Sequence, residues 1–190
     1  MAKQLEPCSW AQGDLYLAYH KKEWGEPCYD EKRLFEKICL EGQQAGLSWI
    51  TILKKRENYR KAFFKFNPKK VAAMSDEDLE ERLLDKGIIR NRLKVYAIRN
   101  NAQAYLALKA EGIYFRDFLW EFVDNEVKVN HFSHLSKVPT ETPESQAMSK
   151  ALKKKGFKFI GPTICYAFMQ SMGMVNDHMT NCPEHPDNKG

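Results

Sequence analysis

The chain lacks any run of about 18 apolar residues, so no segment is predicted to cross a membrane as a helix. The first eight residues, Met1 to Cys8, hold no apolar signal core, and a cytoplasmic protein is expected. Cysteine is scarce: five in 190 residues, an odd number, with no Cys-x-x-Cys pair. That argues against a disulfide framework and leaves reduced core thiols or metal ligands. A large excess of one sign of charge is missing too. Thirty basic against 25 acidic residues give +5, which permits a polyanion partner without demanding one. There is no internal repeat, low-complexity tract or clear linker, so residues 1–190 are expected to form a single domain of two closely packed helical lobes. No alternating strand extends beyond a few residues, and the fold class expected is all-α.

What is present is helical periodicity, with its stops and starts. Asp14 is placed to cap a short helix through His20 that ends at Gly25 and Pro27, and Asp30 to cap a second. Ser48 is placed to cap a third that ends near Asn67-Pro68. Ser75 and Asp78 form a capping-box pattern closed by Gly87. Arg92 to Ala110 reads as a helix with Leu93, Ala97, Ala104 and Leu108 on one face, and Phe115 to Val123 as a short aromatic one. Residues 124–143 read as irregular. Helices are then predicted from Thr142-Pro143 to Lys155 and from Pro162 to Gly173.

The second predicted helix runs into Leu40-Glu-Gly-Gln-Gln-Ala-Gly-Leu-Ser-Trp49. Leu34, Ile38 and Glu41 share one stripe of a 3.6-residue helix, which turns Glu41 inward. An inward carboxylate costs free energy unless it has a partner or a task. Lys37 is one turn earlier and could pair with Glu41 on a solvated face, but it lies off the apolar stripe. Gly42 and Gly46 are expected to turn the chain before Ser48.

Three further features could carry chemistry. Leu152 to Phe168 reads helix, tight turn, helix, with Lys153 to Lys155 closing the first helix and Gly156-Phe-Lys-Phe-Ile-Gly161 making the turn. A glycine turn at a helix start offers free N–H groups to an anion, and lysines add field toward DNA. An ordinary αα-hairpin with a cationic cap has the same pattern. Cys8, His20, His178 and Cys182 are a donor set for a closed tetrahedral zinc. His178 and Cys182 have i, i+4 spacing, but nothing local brings residue 8 to residue 182, and His185 is a rival ligand. Cys39 and Cys165 read as buried thiols, and Cys28 has no evident partner. Trp10, Tyr19, Trp24 and Trp49 are aromatics beside polar loops, suited to a nucleobase or to the core.

As a set, these residues resemble the bacterial DNA-3-methyladenine glycosylase I family. The resemblance rests on Cys8-Ser-Trp10, Tyr19-His20, Glu23-Trp24-Gly25, the run from Cys39 to Trp49, Lys54 to Arg60, Gly87 to Arg90 with Lys94, Gly156 to Thr163, and Val175 to His178. It implies an all-α helix-hairpin-helix glycosylase fold with the hairpin at about residues 144–173. It implies a structural zinc, one per chain, held by Cys8, His20, His178 and Cys182. It places Glu41 as the catalytic carboxylate in a base pocket with Tyr19, Trp49, Trp10 and Trp24, and Lys158, Gly161 and Thr163 on the DNA backbone. The partner implied is alkylated double-stranded DNA and the product 3-methyladenine; a monomer is expected. The hairpin keeps only the second glycine of Gly-x-Gly, and Pro162 and Thr163 stand where bifunctional relatives of the superfamily carry a Schiff-base lysine. A monofunctional hydrolase is therefore expected, with Lys158 the nearest lysine. Asp177 adjoins His178 and is expected to support it or cap a turn. The alternative is a non-catalytic, zinc-stapled helical DNA-binding module.

Overall fold

A computed structural model of the protein describes residues 4–189, so the first three residues of the N-terminal octapeptide lie outside it. The described residues are chiefly helical. The helices are α1 (Asp14–Lys22), α2 (Glu31–Gln44), α3 (Trp49–Ala62), α4 (Pro68–Ala72), α5 (Asp76–Arg82), α6 (Arg92–Ala110), α7 (Phe115–Trp120), α8 (Pro143–Lys154) and α9 (Pro162–Ser171). Two two-residue strands, β1 (Lys128–Val129) and β2 (Val175–Asn176), pair in parallel with Lys128 opposite Val175. β1 lies inside the stretch read as irregular.

α2 is the hub. It packs against α3, α6, α7 and α9, and Leu34, Phe35, Ile38, Cys39 and Leu40 on it are buried. Its start follows from Asp30, whose carboxylate accepts the Arg33 N–H at 2.7 Å. Elsewhere Ser75 and Asp78 close a reciprocal capping box, and Thr142 caps α8 with Pro143 in the first turn. Among the described residues, no helix is long and apolar enough to cross a membrane.

Several expected details differ. Asp14 is the first helical residue rather than the cap, because Gly13 takes the preceding position at φ 80°. α1 ends at Lys22, three residues before Gly25. Ser48 precedes α3 but bonds the Thr51 hydroxyl instead of a backbone N–H. α3 stops at Ala62, and Asn67-Pro68 then starts α4, a helix the sequence did not predict; Asn67 caps it. Leu93 is exposed although Ala97, Ala104 and Leu108 are buried; in the first turn of α6 it is Lys94 and Val95 that face inward. Gly42 lies inside α2, and the sharp turn falls at Gly46, at φ 75°.

The two ends of the described chain meet. The Glu6 N–H donates to Asn181 O and the Cys28 N–H to Met172 O, each at 3.0 Å. The Lys189 ammonium reaches Glu26 at 2.6 Å. This closure brings α1 alongside the segment after α9, and the candidate site lies between them.

Candidate base pocket and metal centre

Glu41 is 2% exposed, as its stripe on α2 requires. Burial raises its pKa, and the Lys37 ammonium 3.4 Å from Oε1 opposes the rise. Lys37 is therefore not on a solvated face. It is buried beside Glu41 because Tyr19 of α1 and Trp49 of α3 close over its ammonium. The Lys37 ammonium donates to the Tyr19 hydroxyl at 2.6 Å and lies 3.3 Å from the Trp49 ring centroid. Desolvation pushes Lys37 down to about 8. Burial, then the charge of Glu41, pushes the Tyr19 phenol well above its usual value.

Next to Glu41 is a cavity of about 190 Å³, large enough for one planar heterocycle. Trp10, Tyr19, Trp24 and Trp49 all line it, so the four predicted aromatics converge. Tyr16, Gln44 and Asp177 line it as well. Of the two adjacent amides, Gln43 is structural: it donates to Lys94 O and accepts from the Tyr59 hydroxyl. Gln44 faces the cavity. Tyr16 carried a signal that went unused, its i, i+3 spacing to Tyr19 on one face of α1.

Asp177 neither supports His178 nor caps a turn. Its carboxylate accepts from Asn130 Nδ2 at 2.7 Å, the Tyr166 hydroxyl at 2.5 Å and Gln170 Nε2 at 2.9 Å, which fixes it against the cavity wall. Tyr166 and Gln170 are one turn apart on α9, while Asn130 follows β1, so the full set is joined only by the fold.

The three buried side-chain polar atoms without a partner among the described residues are Glu41 Oε2, Gln44 Oε1 and Trp49 Nε1. All three belong to residues that line this cavity. An unpaired buried polar atom costs about 1–3 kcal/mol. Two acceptors and one donor in one cavity match a ligand edge that offers N–H groups and one acceptor.

Behind the aromatics, Cys8, His20, His178 and Cys182 converge, all buried, with ligand atoms within 4.8 Å of one another. Nδ1 of His178 lies 3.1 Å from Nε2 of His20, and Sγ of Cys182 lies 3.5 Å from both. Sγ of Cys8 lies 3.8 Å from Nδ1 of His178. Zinc bonds of about 2.05 Å to nitrogen and about 2.3 Å to sulfur around a tetrahedron give edges of about 3.3 Å and 3.6 Å. The four observed separations, 3.1 to 3.8 Å, lie close to those edges. His178 Nε2 meets the Trp24 carbonyl at 3.0 Å, so its N–H points there and Nδ1 is left as a lone-pair donor. Backbone N–H groups of Met179 and Glu184 point at the Cys8 and Cys182 sulfurs, each at 3.4 Å. The interaction of the two thiols with each other holds Cys182 well below its usual value and Cys8 above it. His185, the rival ligand, is engaged elsewhere: it bonds Asn130 O through Nε2 and accepts the Asp187 N–H at Nδ1. Cys28, Cys39 and Cys165 are buried free thiols.

Lys158, Gly161 and Thr163 sit on the α8–α9 turn, away from the cavity. Asn101 of α6 straps that turn, accepting the Lys158 N–H at 2.8 Å and donating to its carbonyl. Lys158 and Thr163 are exposed.

A helical scaffold with an aromatic cavity and an underemployed carboxylate defines a class of protein that receives a planar, hydrogen-bonding, electron-poor ring. A family profile described as methyladenine glycosylase matches residues 10–185. DNA-3-methyladenine glycosylase 1 of Escherichia coli K12 is 58% identical over 97% of this chain and 100% of its own length. A crystal structure of 3-methyladenine DNA glycosylase I superposes with a TM-score of 0.94 at 56% identity, over 95% of this chain and 100% of that one. The Staphylococcus aureus 3-methyladenine DNA glycosylase I structure, which addresses the structural basis of 3-methyladenine recognition, superposes at 0.91 and 40% identity, over 96% and 98%. The chain belongs to the methyladenine glycosylase family.

Proposed function

We propose that the protein is a DNA repair glycosylase. It hydrolyses the N-glycosidic bond of 3-methyladenine in alkylated DNA and leaves an abasic site. The observation that carries this reading is the trio of unpartnered polar atoms, on Glu41, Gln44 and Trp49, in one aromatic cavity. A purine amino group donates where Glu41 and Gln44 accept. A ring nitrogen accepts where the indole N–H donates.

Methylation at N3 makes adenine a cation and a good leaving group. The protein's tasks are then to extrude the damaged nucleotide and recognise its base. The aromatic walls supply stacking worth about 1–3 kcal/mol per base. One face of Trp49 is already covered by Lys37, so its free face and the tyrosines serve the base. The Glu41 carboxylate favours a positively charged purine over a neutral one. The purine departs neutral with the bond pair. Water adds to the oxocarbenium-like sugar carbon and gives up a proton to solvent.

The α8–α9 hairpin is the proposed phosphate clamp, through Lys158, Gly161, Thr163 and the open N-terminus of α9. Pro162 and Thr163 leave no lysine after the hairpin glycine. Lys158 borders a different surface hollow, and Lys37 lies behind Tyr19 and Trp49, so a monofunctional hydrolase follows. Cys8, His20, His178 and Cys182 are the proposed ligands of one structural zinc, which with four protein ligands has no water position and serves to join the chain ends. The protein is taken as a single glycosylase domain, monomeric and cytoplasmic.

The test is release of free base from methylated duplex DNA, with the base identified chromatographically. Release of 3-methyladenine is expected. No release beside an active control glycosylase, with equal affinity for methylated and plain duplex, would instead mark a non-catalytic DNA-binding module. A borohydride-trapped covalent adduct would mark a lyase.

A further inference from the structure

Lys37, behind the pocket wall, is a feature that base recognition leaves unexplained. A site for a cationic ring gains nothing obvious from a second cation at its back. Yet the Lys37 ammonium is 6% exposed as a residue, bonds the Tyr19 hydroxyl at 2.6 Å, pairs with Glu41 Oε1 at 3.4 Å and sits on the Trp49 ring at 3.3 Å. These are three of the groups to which the base reading gives work. Two cations cannot draw fully on one carboxylate and one indole in a desolvated site.

We infer that Lys37 is a positioning residue whose ammonium competes with a cationic purine for Glu41 and Trp49, so that a cationic base binds with release of the Lys37 proton to solvent and a neutral base binds without it. The inference rests on the base-pocket reading and refines it. A charged Lys37 keeps Glu41 compensated while the pocket is empty. A neutral Lys37 still holds the Tyr19 hydroxyl, now accepting or donating through its amine, so the pocket keeps its shape when the cation enters.

The groups around Lys37 permit this. α1 contributes Tyr19 and, farther off, Glu23, which is bound by Arg56 of α3 at 2.7 Å. α2 contributes Glu41. α9 places the uncharged Ser171 near Glu41. Glu41 and Glu23 favour the ammonium, while burial and Arg56 oppose it; burial is the largest influence and pushes Lys37 down to about 8. Its proton is thus removable near neutral pH, which an exposed lysine would not allow.

The experiment titrates the full chain with two ligands: 3-methyladenine, a neutral free base near neutral pH, and 3,9-dimethyladeninium, a fixed cation whose N9 methyl stands in for the sugar. Affinity for the cation should rise close to tenfold per pH unit up to about pH 8 and then level off. Affinity for the neutral base should stay flat there. Calorimetry in buffers of different ionisation enthalpy should count about one proton released per cation bound and none per neutral base. Lys37→Met should bind the cation with no such slope; an undiminished slope in that variant would assign the proton to another group and overturn the inference. Lys37→Arg, which keeps its charge, should bind the cation weakly throughout while binding the neutral base. Both purines binding the wild type with pH-independent affinity and no proton release would overturn the inference alone. Neither purine binding at any pH would overturn the base-pocket reading and the inference with it.

Discussion

Gly42 of α2 lies against Phe159 of the α8–α9 turn: a Cβ on Gly42 would meet the Phe159 carbonyl oxygen at 3.0 Å and its Cβ at 3.1 Å. The wall that carries Glu41 therefore touches the proposed phosphate clamp directly, with no side chain between them. Gly42→Ala gains about 1 kcal/mol of helix propensity and loses about 1–3 kcal/mol to overpacking. A net loss of about 1 kcal/mol is expected, with Gly42→Val worse because its branched side chain must fit the same gap. Thermal melts and base-release kinetics check this. A Gly42→Val protein with wild-type stability and kinetics would show that the turn moves aside freely.

Glu41→Gln keeps the shape of the side chain and removes its charge. A charge-assisted hydrogen bond is worth about 1.5–3 kcal/mol, so kcat/KM for base release should fall about 10- to 150-fold. The fold should persist, because the buried charge that is lost had one unpartnered oxygen. Circular dichroism and single-turnover base release together decide the matter. Unchanged kinetics in a folded variant would remove Glu41 from the mechanism.

Metal analysis should find about one zinc per chain. Cys182→Ser should lower that stoichiometry and loosen both chain ends, seen as faster hydrogen exchange around residues 6–8 and 178–182. The α2, α6 and α9 amides should stay protected, since their packing is apolar. Acid should release the metal, because imidazole and thiolate ligands must be deprotonated to bind it. A chelator-treated protein with an unchanged melt and unchanged exchange would refute the staple.

How much of this was legible in the chain depends on distance along it. Glu41 was legible because its inward direction is set by Leu34 and Ile38 on the same helix. So were Asp30, Ser75 and Thr142, whose capping bonds span three residues. The i, i+4 pair His178 and Cys182 was local, but its meeting with His20 spans 158 residues and was reached through family resemblance. Lys37 was misplaced because a helical wheel knows only its own helix. The stripe put it outside, and Tyr19 of α1 and Trp49 of α3 close over it. Asp177 was misread for a similar reason: its neighbour in sequence is a metal-ligand candidate, while its partners in space are Asn130, Tyr166 and Gln170.

The Lys37–Glu41 pair also makes a prediction about stability. Lys37 sits at about 8 in the folded protein against 10.5 for a free lysine. Between those values the unfolded chain binds a proton that the folded protein does not, so stability should rise with pH across that window. Glu41 is shifted the other way, above 4.5. Its ionisation costs stability, and that loss belongs to the acid side, as pH rises through its raised value. Denaturant midpoints of wild type and Lys37→Met, measured from about pH 8 to 10.5, should therefore converge if the variant is the more stable, or diverge in favour of wild type if it is not. Replacing both groups, as Lys37→Met with Glu41→Leu, removes two desolvated charges and one orphaned oxygen. Buried pairs exchanged for apolar residues of similar volume are often neutral or gain about 1–4 kcal/mol, and with an orphaned oxygen removed as well a gain is expected here. That protein should melt higher and release base at least as slowly as Glu41→Gln, the mark of a site kept for chemistry at the expense of stability. A lower melt would mean that the pair contributes net stability and that Lys37 is retained for the fold.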